Sequence, residues 1–506
     1  MAAPTAPPAH RKTEQAGRTE QAEQIGQTEQ SGRIEQPDQA GGTGRNDQPG
    51  RTAQAQQPEQ TDPELLIAAS VLLADAALAT RRTGAELTAA WASWRVGLQA
   101  LRRPGWATGT ALAAARALSN PAGLGIAVNG GLVGETFRSM GAMARRRPAC
   151  VAMAVDAFAL RIEAAARAHP NLAGPLARRL TDAVVAGRRL EAVRAARELT
   201  DLHGVTRTLT TVSPVIMELL ALNGLLDENP TNDSFAWVTL AGGVPTTDPI
   251  FGLPAGLVRH LNPGRGRAER VDPDPLLTKV LTRSANDIVR YIDDISALGN
   301  HGLALLRRVA CADGTERHVV LLPGTSFGRV SNSTPQDLVG AFDGILRTDT
   351  TYTRSVKQML LRAGVPDGAE LMVVGHSLGG ITAVNLACDL DFVSTYRLTH
   401  VITVGSPIDN KRPADPTTRV VSLVNEHDVI PGLDGRGPAS ANDIPDSWIE
   451  LAWTDETYDY PLSHAPQAYA DTLSDSQQAH RARVNELITA YDGEIAANQP
   501  YLLRDK

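Results

Sequence analysis

The chain has 506 residues, 42% hydrophobic but only 4% aromatic, and a formal net charge of −7. The apolar share excludes a wholly disordered chain, and the negative balance argues against a nucleic-acid partner. Cys150, Cys311 and Cys388 lie far apart with no Cys-x-x-Cys pair, which indicates neither a zinc site nor a disulfide framework.

Residues 1–62 repeat a short unit, as in Thr13-Glu14-Gln15, Thr19-Glu20-Gln21 and Thr28-Glu29-Gln30. Such a segment buries too little apolar surface to offset its ordering entropy, so a disordered Glu/Gln-rich tail is expected. It contains no apolar run of signal-peptide length. The best later candidate for a membrane span, residues 65–78, is short and carries Asp75. No signal peptide or transmembrane helix is therefore expected, and the reading is a cytoplasmic or membrane-peripheral protein.

Residues 63–225 read as a helical, Arg-rich domain. Asp62 followed by Pro63 is a helix-start signal. Trp91, Trp94, Leu98 and Leu101 fall at helical spacing, as do Val151, Val155, Phe158 and Ile162, and both stripes read as core. Residues 63–210 hold 19 Arg, no Lys and 10 acidic residues, a balance of +9. Solvated helix faces explain that balance, and peripheral contact with an anionic membrane is the alternative.

Residues 226–275, rich in Pro, Gly, Asn and Asp, read as a connector. From 276 to 506 the pattern alternates. A helix is predicted over 276–298, strands over 303–309 and 318–322, a helix over 353–362, and a buried strand over 371–374. Further predictions are a helix over 379–390 and strands over 401–404 and 419–424. Strands alternating with helices predict a mostly parallel α/β sheet.

The strongest motif is Gly375-His376-Ser377-Leu378-Gly379-Gly380, directly after a buried strand and before a helix. A serine on so tight a turn projects its hydroxyl above the sheet edge, as a nucleophile requires. Such a serine needs a histidine base and an orienting carboxylate, which follow it in this chain order. Asp428 ends a strand inside Val424-Asn425-Glu426-His427-Asp428-Val429-Ile430-Pro431, with Asp434 and Asp409 as weaker rivals. After Asp428 only His464 and His480 remain. His464 lies in a loop bracketed by Pro461 and Pro466, and His480 in a polar helical stretch, so His464 is the expected base. His376 is expected to point elsewhere. The Leu378 N–H and Thr325, in the loop Pro323-Gly324-Thr325-Ser326, are the expected oxyanion donors.

These segments, with Gly405-Ser406-Pro407 and Asn410, resemble the class 3, fungal-type lipase family over roughly residues 303–472. The resemblance implies an α/β-hydrolase fold, an ester or lipid substrate and no cofactor or metal. It assigns Asp428 as the triad acid and Thr325 as the oxyanion residue, and it makes residues 327–347 a lid. Leu322-Pro323 stand where relatives usually carry Arg or Trp. The expected activity is carboxylic ester hydrolysis through an acyl-enzyme on Ser377. An acyltransferase using the same triad and a non-catalytic scaffold are the alternatives. Oligomeric state is left open.

Overall fold

The computed structural model describes residues 62–91, 149–226, 232–243, 245–248, 252–283, 285–326, 331–434, 445–455 and 457–506. The expected tail at 1–61, and Trp94, Leu98 and Leu101 of the first stripe, lie outside the described residues.

The helical region begins with α1 (Pro63–Trp91), where the Asp62 side chain accepts from the Glu64 N–H at 3.0 Å, the cap its sequence announces. It continues through α2 (Ala149–Ala168), α3 (Pro175–Val185), α4 (Arg189–Val212) and α5 (Ile216–Leu226). Gly204, at φ +80°, kinks α4. Phe158, Ile162, Leu172, Leu180, Val215 and Leu222 form one buried cluster here. Each such side chain contributes about 1.5–3 kcal/mol relative to its exposed state.

Two expectations change. The apolar run at 65–78 belongs to a longer helix, and residues 63–83 and 190–226 are each long and apolar enough to cross a membrane, by length and composition alone. The reason is continuity, since α1 runs past Asp75 and Thr80 without a break. Residues 226–275 are also more than a connector. They hold α6 (Asp233–Ala241), α7 (Ala255–Leu261) and strand β1 (Arg267–Arg270). Trp237 and Leu240 of α6 complete the helical core. β1 is hard to read locally because only Ala268 among its four residues is buried.

The segment predicted as one helix over 276–298 is two, α8 (Pro275–Leu281) and α9 (Ile288–Leu298). Each has its own aspartate cap, Asp274 accepting from Leu277 N–H and Asp287 from Val289 N–H. The sheet adds β2 (Leu303–Cys311), β3 (Glu316–Leu322), β4 (Glu370–His376), β5 (Arg397–Val404), β6 (Arg419–Asn425), β7 (Trp448–Trp453) and β8 (Gly493–Arg504). Its order is β1-β8-β2-β3-β4-β5-β6-β7. β3 to β7 run parallel, and β1, β8 and β2 extend the sheet by antiparallel pairing. The fold is mixed α/β with a mostly parallel sheet, preceded by a helical region.

Alternation along each strand feeds two cores. Val320, Leu322, Val373 and Val401 face α10 (Leu338–Leu346), α11 (Thr351–Ala363) and α12 (Leu378–Ala387). Val319, Leu321, Val374 and Ile402 face α9, α13 (Pro466–Asp475) and α14 (Gln478–Leu487). The described residues form one compact unit.

Candidate active site

β4 delivers the chain into the turn at Ser377. This is the one non-glycine among the described residues with positive φ, at +54°. Holding a serine there costs on the order of 1–3 kcal/mol. The surroundings enforce it. A Cβ on Gly375 would lie 2.2 Å from the Gly379 carbonyl carbon, and one on Gly379 would lie 2.0 Å from the Leu322 oxygen. Neither position admits a side chain.

Ser377 Oγ lies 2.9 Å from His464 Nε2, and His464 Nδ1 lies 2.7 Å from Asp428 Oδ2. All three residues are buried. The arrangement reads as Nδ1–H donating to the carboxylate, which leaves the Nε2 lone pair facing the serine hydroxyl. Asp428 sits on the turn after β6, at the carboxyl end of the parallel strands, where such sheets place ligands. His464 ends a short 3₁₀ turn (Leu462–His464). The other candidates stand apart. Asp434 Oδ2 accepts from the Asp409 N–H at 2.8 Å, and the His480 ring packs on Trp453 at 5.9 Å.

Thr325 is buried in the loop after β3, where Asn300 Nδ2 donates to its carbonyl at 3.0 Å. The loop lies hard against Ser377, since a Cβ on Gly324 would come 2.7 Å from Ser377 Cβ. Leu378 opens α12, and the N–H groups of a helix's first turn have no intrahelical partner. Of the expected lid, residues 327–330 lie outside the described residues. Further along, Phe342, Ile345 and Leu346 of α10 are buried in the same core as Leu378 and Ile381.

Several supporting residues escape the sequence reading. Tyr469 Oη donates to Asp428 Oδ2 at 2.9 Å and accepts from the Asn425 N–H at 3.2 Å. Burial, then the Asp428 charge, hold this phenol well above its usual pKa, so it stays a donor. His376 does not point away from the site. Its ring stacks on His464 at 4.8 Å, and its Nε2 lies 2.7 Å from the His464 carbonyl. Burial, and behind it the neighbouring His464, push the His376 imidazole down to about 3. A neutral ring facing a carbonyl must carry its proton on Nε2, so His376 holds the His464 backbone.

The helical region reaches the same two loops. His427 Nε2 donates to Asn171 Oδ1 at 2.9 Å, and the Tyr460 N–H donates to Thr210 Oγ1 at 2.7 Å. Arg207 pairs with Asp459 at 3.3 Å, and the Ser213 hydroxyl donates to the Glu426 carbonyl. A cavity of about 180 Å³ lies behind the Asp428 loop, lined in part by Glu218, Glu426 and Asp428.

No curated protein matches the chain. A solved structure described as the crystal structure of the gene lin2722 products from Listeria innocua aligns at 13% identity and a TM-score of 0.22. The alignment covers 42% of this chain and 93% of that one, and a likeness so slight carries no argument. Residues 329–436, a span that holds Ser377 and Asp428 and ends before His464, match the family model Lipase (class 3).

Proposed function

We propose that this chain is a serine hydrolase of the α/β-hydrolase type that cleaves carboxylic esters, lipid esters among them. Ser377 Oγ attacks the ester carbonyl while His464 Nε2 takes its proton. The tetrahedral oxyanion lies against the Leu378 N–H and Thr325. Collapse expels the alcohol, which takes the proton back from His464 and leaves an acyl group on Ser377. Water, deprotonated by the same imidazole, then attacks the acyl-enzyme, and the imidazolium returns that proton to Ser377 Oγ as the acid leaves. Asp428 stabilises the imidazolium formed in each half, with Tyr469 and His376 fixing acid and base in place. The observation that carries the reading is the Ser377–His464–Asp428 hydrogen-bonded chain, with Ser377 on a positive-φ turn and both Ser377 and Asp428 inside a span matching class 3 lipases.

Hydrolysis of a short-chain aryl ester tests it. Ser377→Ala should lower the rate by about 10⁴–10⁶ while the protein stays folded. A variant that turned over like the parent would end the reading.

Peripheral contact with an anionic membrane belongs to the same proposal. Its support is the +9 balance of residues 63–210 and the exposed Leu65 and Leu72 on α1. Binding of the full chain to anionic vesicles should weaken steeply with salt, and equal binding to neutral vesicles would contradict it.

A further inference from the structure

At the opposite end of α12 from Ser377 lies a feature the proposed reaction does not use. Two cavities of about 520 and 530 Å³ share Arg259, Arg347 and Asp349 in their linings, and so adjoin. Cys388, which ends α12, lines the second. Ten helical residues at about 1.5 Å each separate it from the nucleophile by some ~15 Å. The cleft is therefore distinct from the reaction centre.

Its charge is one-sided. Arg259, Arg265, Arg347, Arg354, Lys411 and Arg412 line the two cavities, against the single carboxylate Asp349. This concentration occurs in a chain whose net charge is −7. Some of these cations have structural work. Arg354 pairs with Asp349 at 2.8 Å, and Lys411 Nζ donates to the Gly344 and Ile345 carbonyls at 2.9 and 3.0 Å, closing the end of α10. Others keep donors to spare. Arg347 binds Asp343 through Nε at 3.2 Å and donates through Nη2 to the Asp349 carbonyl, yet its Nη1 is buried without a partner. Among the described residues, the exposed Arg259 and Arg265 make no hydrogen bond or ion pair through their guanidinium groups. Guanidinium groups present paired N–H donors that match phosphate oxygens, and holding several of them together without an anion costs repulsion.

We propose that this cleft binds a phosphorylated ligand carrying at least two negative charges, with Arg259, Arg265 and Arg347 as its principal contacts. Two cavities meeting at Arg259 and Arg347 fit an anion with charge at both ends, such as a diphosphate. The same chemistry is offered by a soluble phosphorylated compound and by a phosphate-bearing lipid headgroup. The proposal is independent of the esterase reading, because none of these residues touches the triad.

Calorimetric titration of the full chain with inorganic pyrophosphate at low salt is the test. One-to-one binding that weakens as salt rises is expected, and the double variant R259E/R265E should bind at least tenfold more weakly. Arg259→Ala with Arg265→Ala is the milder pair should the reversal perturb folding, and circular dichroism and ester hydrolysis should be unchanged in either. Phosphatidylcholine vesicles with and without phosphatidic acid separate the sources. Capture that needs phosphatidic acid, is competed by pyrophosphate and is lost in the variant marks a lipid headgroup. Pyrophosphate binding without such capture marks a soluble ligand. Absence of pyrophosphate binding, or equal binding by the variant, would overturn the proposal.

Discussion

His427, the residue before Asp428, donates through Nε2 to Asn171 Oδ1 at 2.9 Å, so the acid loop is tied to the helical region 256 residues earlier in the chain. The loop before His464 is tied to the same region through Tyr460 and Thr210. Both loops that flank Ser377 thus rest on one helical surface.

If that surface positions the acid, Asn171→Ala should slow acylation of Ser377 by about 3–10-fold, the equivalent of one hydrogen bond of about 0.5–1.5 kcal/mol. Ground-state binding of substrate should change less. Single-turnover rates with an activated ester measure this, and Asn171→Asp, which keeps the acceptor oxygen, should recover much of the loss. An Asn171→Ala variant that lost only thermal stability, with its acylation rate intact, would reduce the contact to scaffolding.

The choice of base separates two histidines. His464→Ala should be nearly as damaging as Ser377→Ala, because members of a hydrogen-bonded triad act as a unit. His480, which packs on Trp453, should tolerate alanine with little loss of rate. The reverse pattern would move the base to α14 and sink the assignment.

These histidines also show how far the sequence carries. Elimination by chain order reaches His464, because only two histidines follow Asp428. The elbow is legible because a tight strand-to-helix turn demands small residues at two fixed offsets, and Gly375 and Gly379 supply them. The contribution of His376 is not legible. Its contact is with a backbone carbonyl 88 residues away, and no local pattern encodes it. β8 is hidden for a related reason. Asn498, Gln499 and Pro500 are weak strand formers, yet pairing with Arg307, Leu306 and Leu305 of β2 makes them strand. The long-range ties from Asn171, Thr210 and Ser213 to the loops are of the same kind.

Thr325 is tested by isosteric loss of its hydroxyl. As an oxyanion donor through its side chain, Thr325→Val should lower kcat by about 10²–10³ with a smaller change in KM. A rise in KM at constant kcat would make Thr325 a substrate contact instead.

His376 makes a pH prediction. Its folded value lies at about 3, against 6.5 for an ordinary imidazole. Between those values the unfolded chain takes up a proton at this residue and the folded chain does not, so stability falls as pH drops from about 6.5 towards 3. The loss attributable to this ring is on the order of a few kcal/mol across the window. Urea unfolding at pH 7 and pH 4.5 should show a smaller acid loss for His376→Gln than for the parent. An identical pH slope in both would mean that His376 is not buried as a neutral ring.

The central claim is that Ser377 is a nucleophile activated by His464, and covalent capture tests it most directly. The full chain treated with a fluorophosphonate should gain one phosphonyl group, and peptide mass spectrometry should place it on Ser377. His464→Ala should slow that labelling by orders of magnitude while leaving the fold intact. An unlabelled parent protein, or a label on a different serine, would contradict the account.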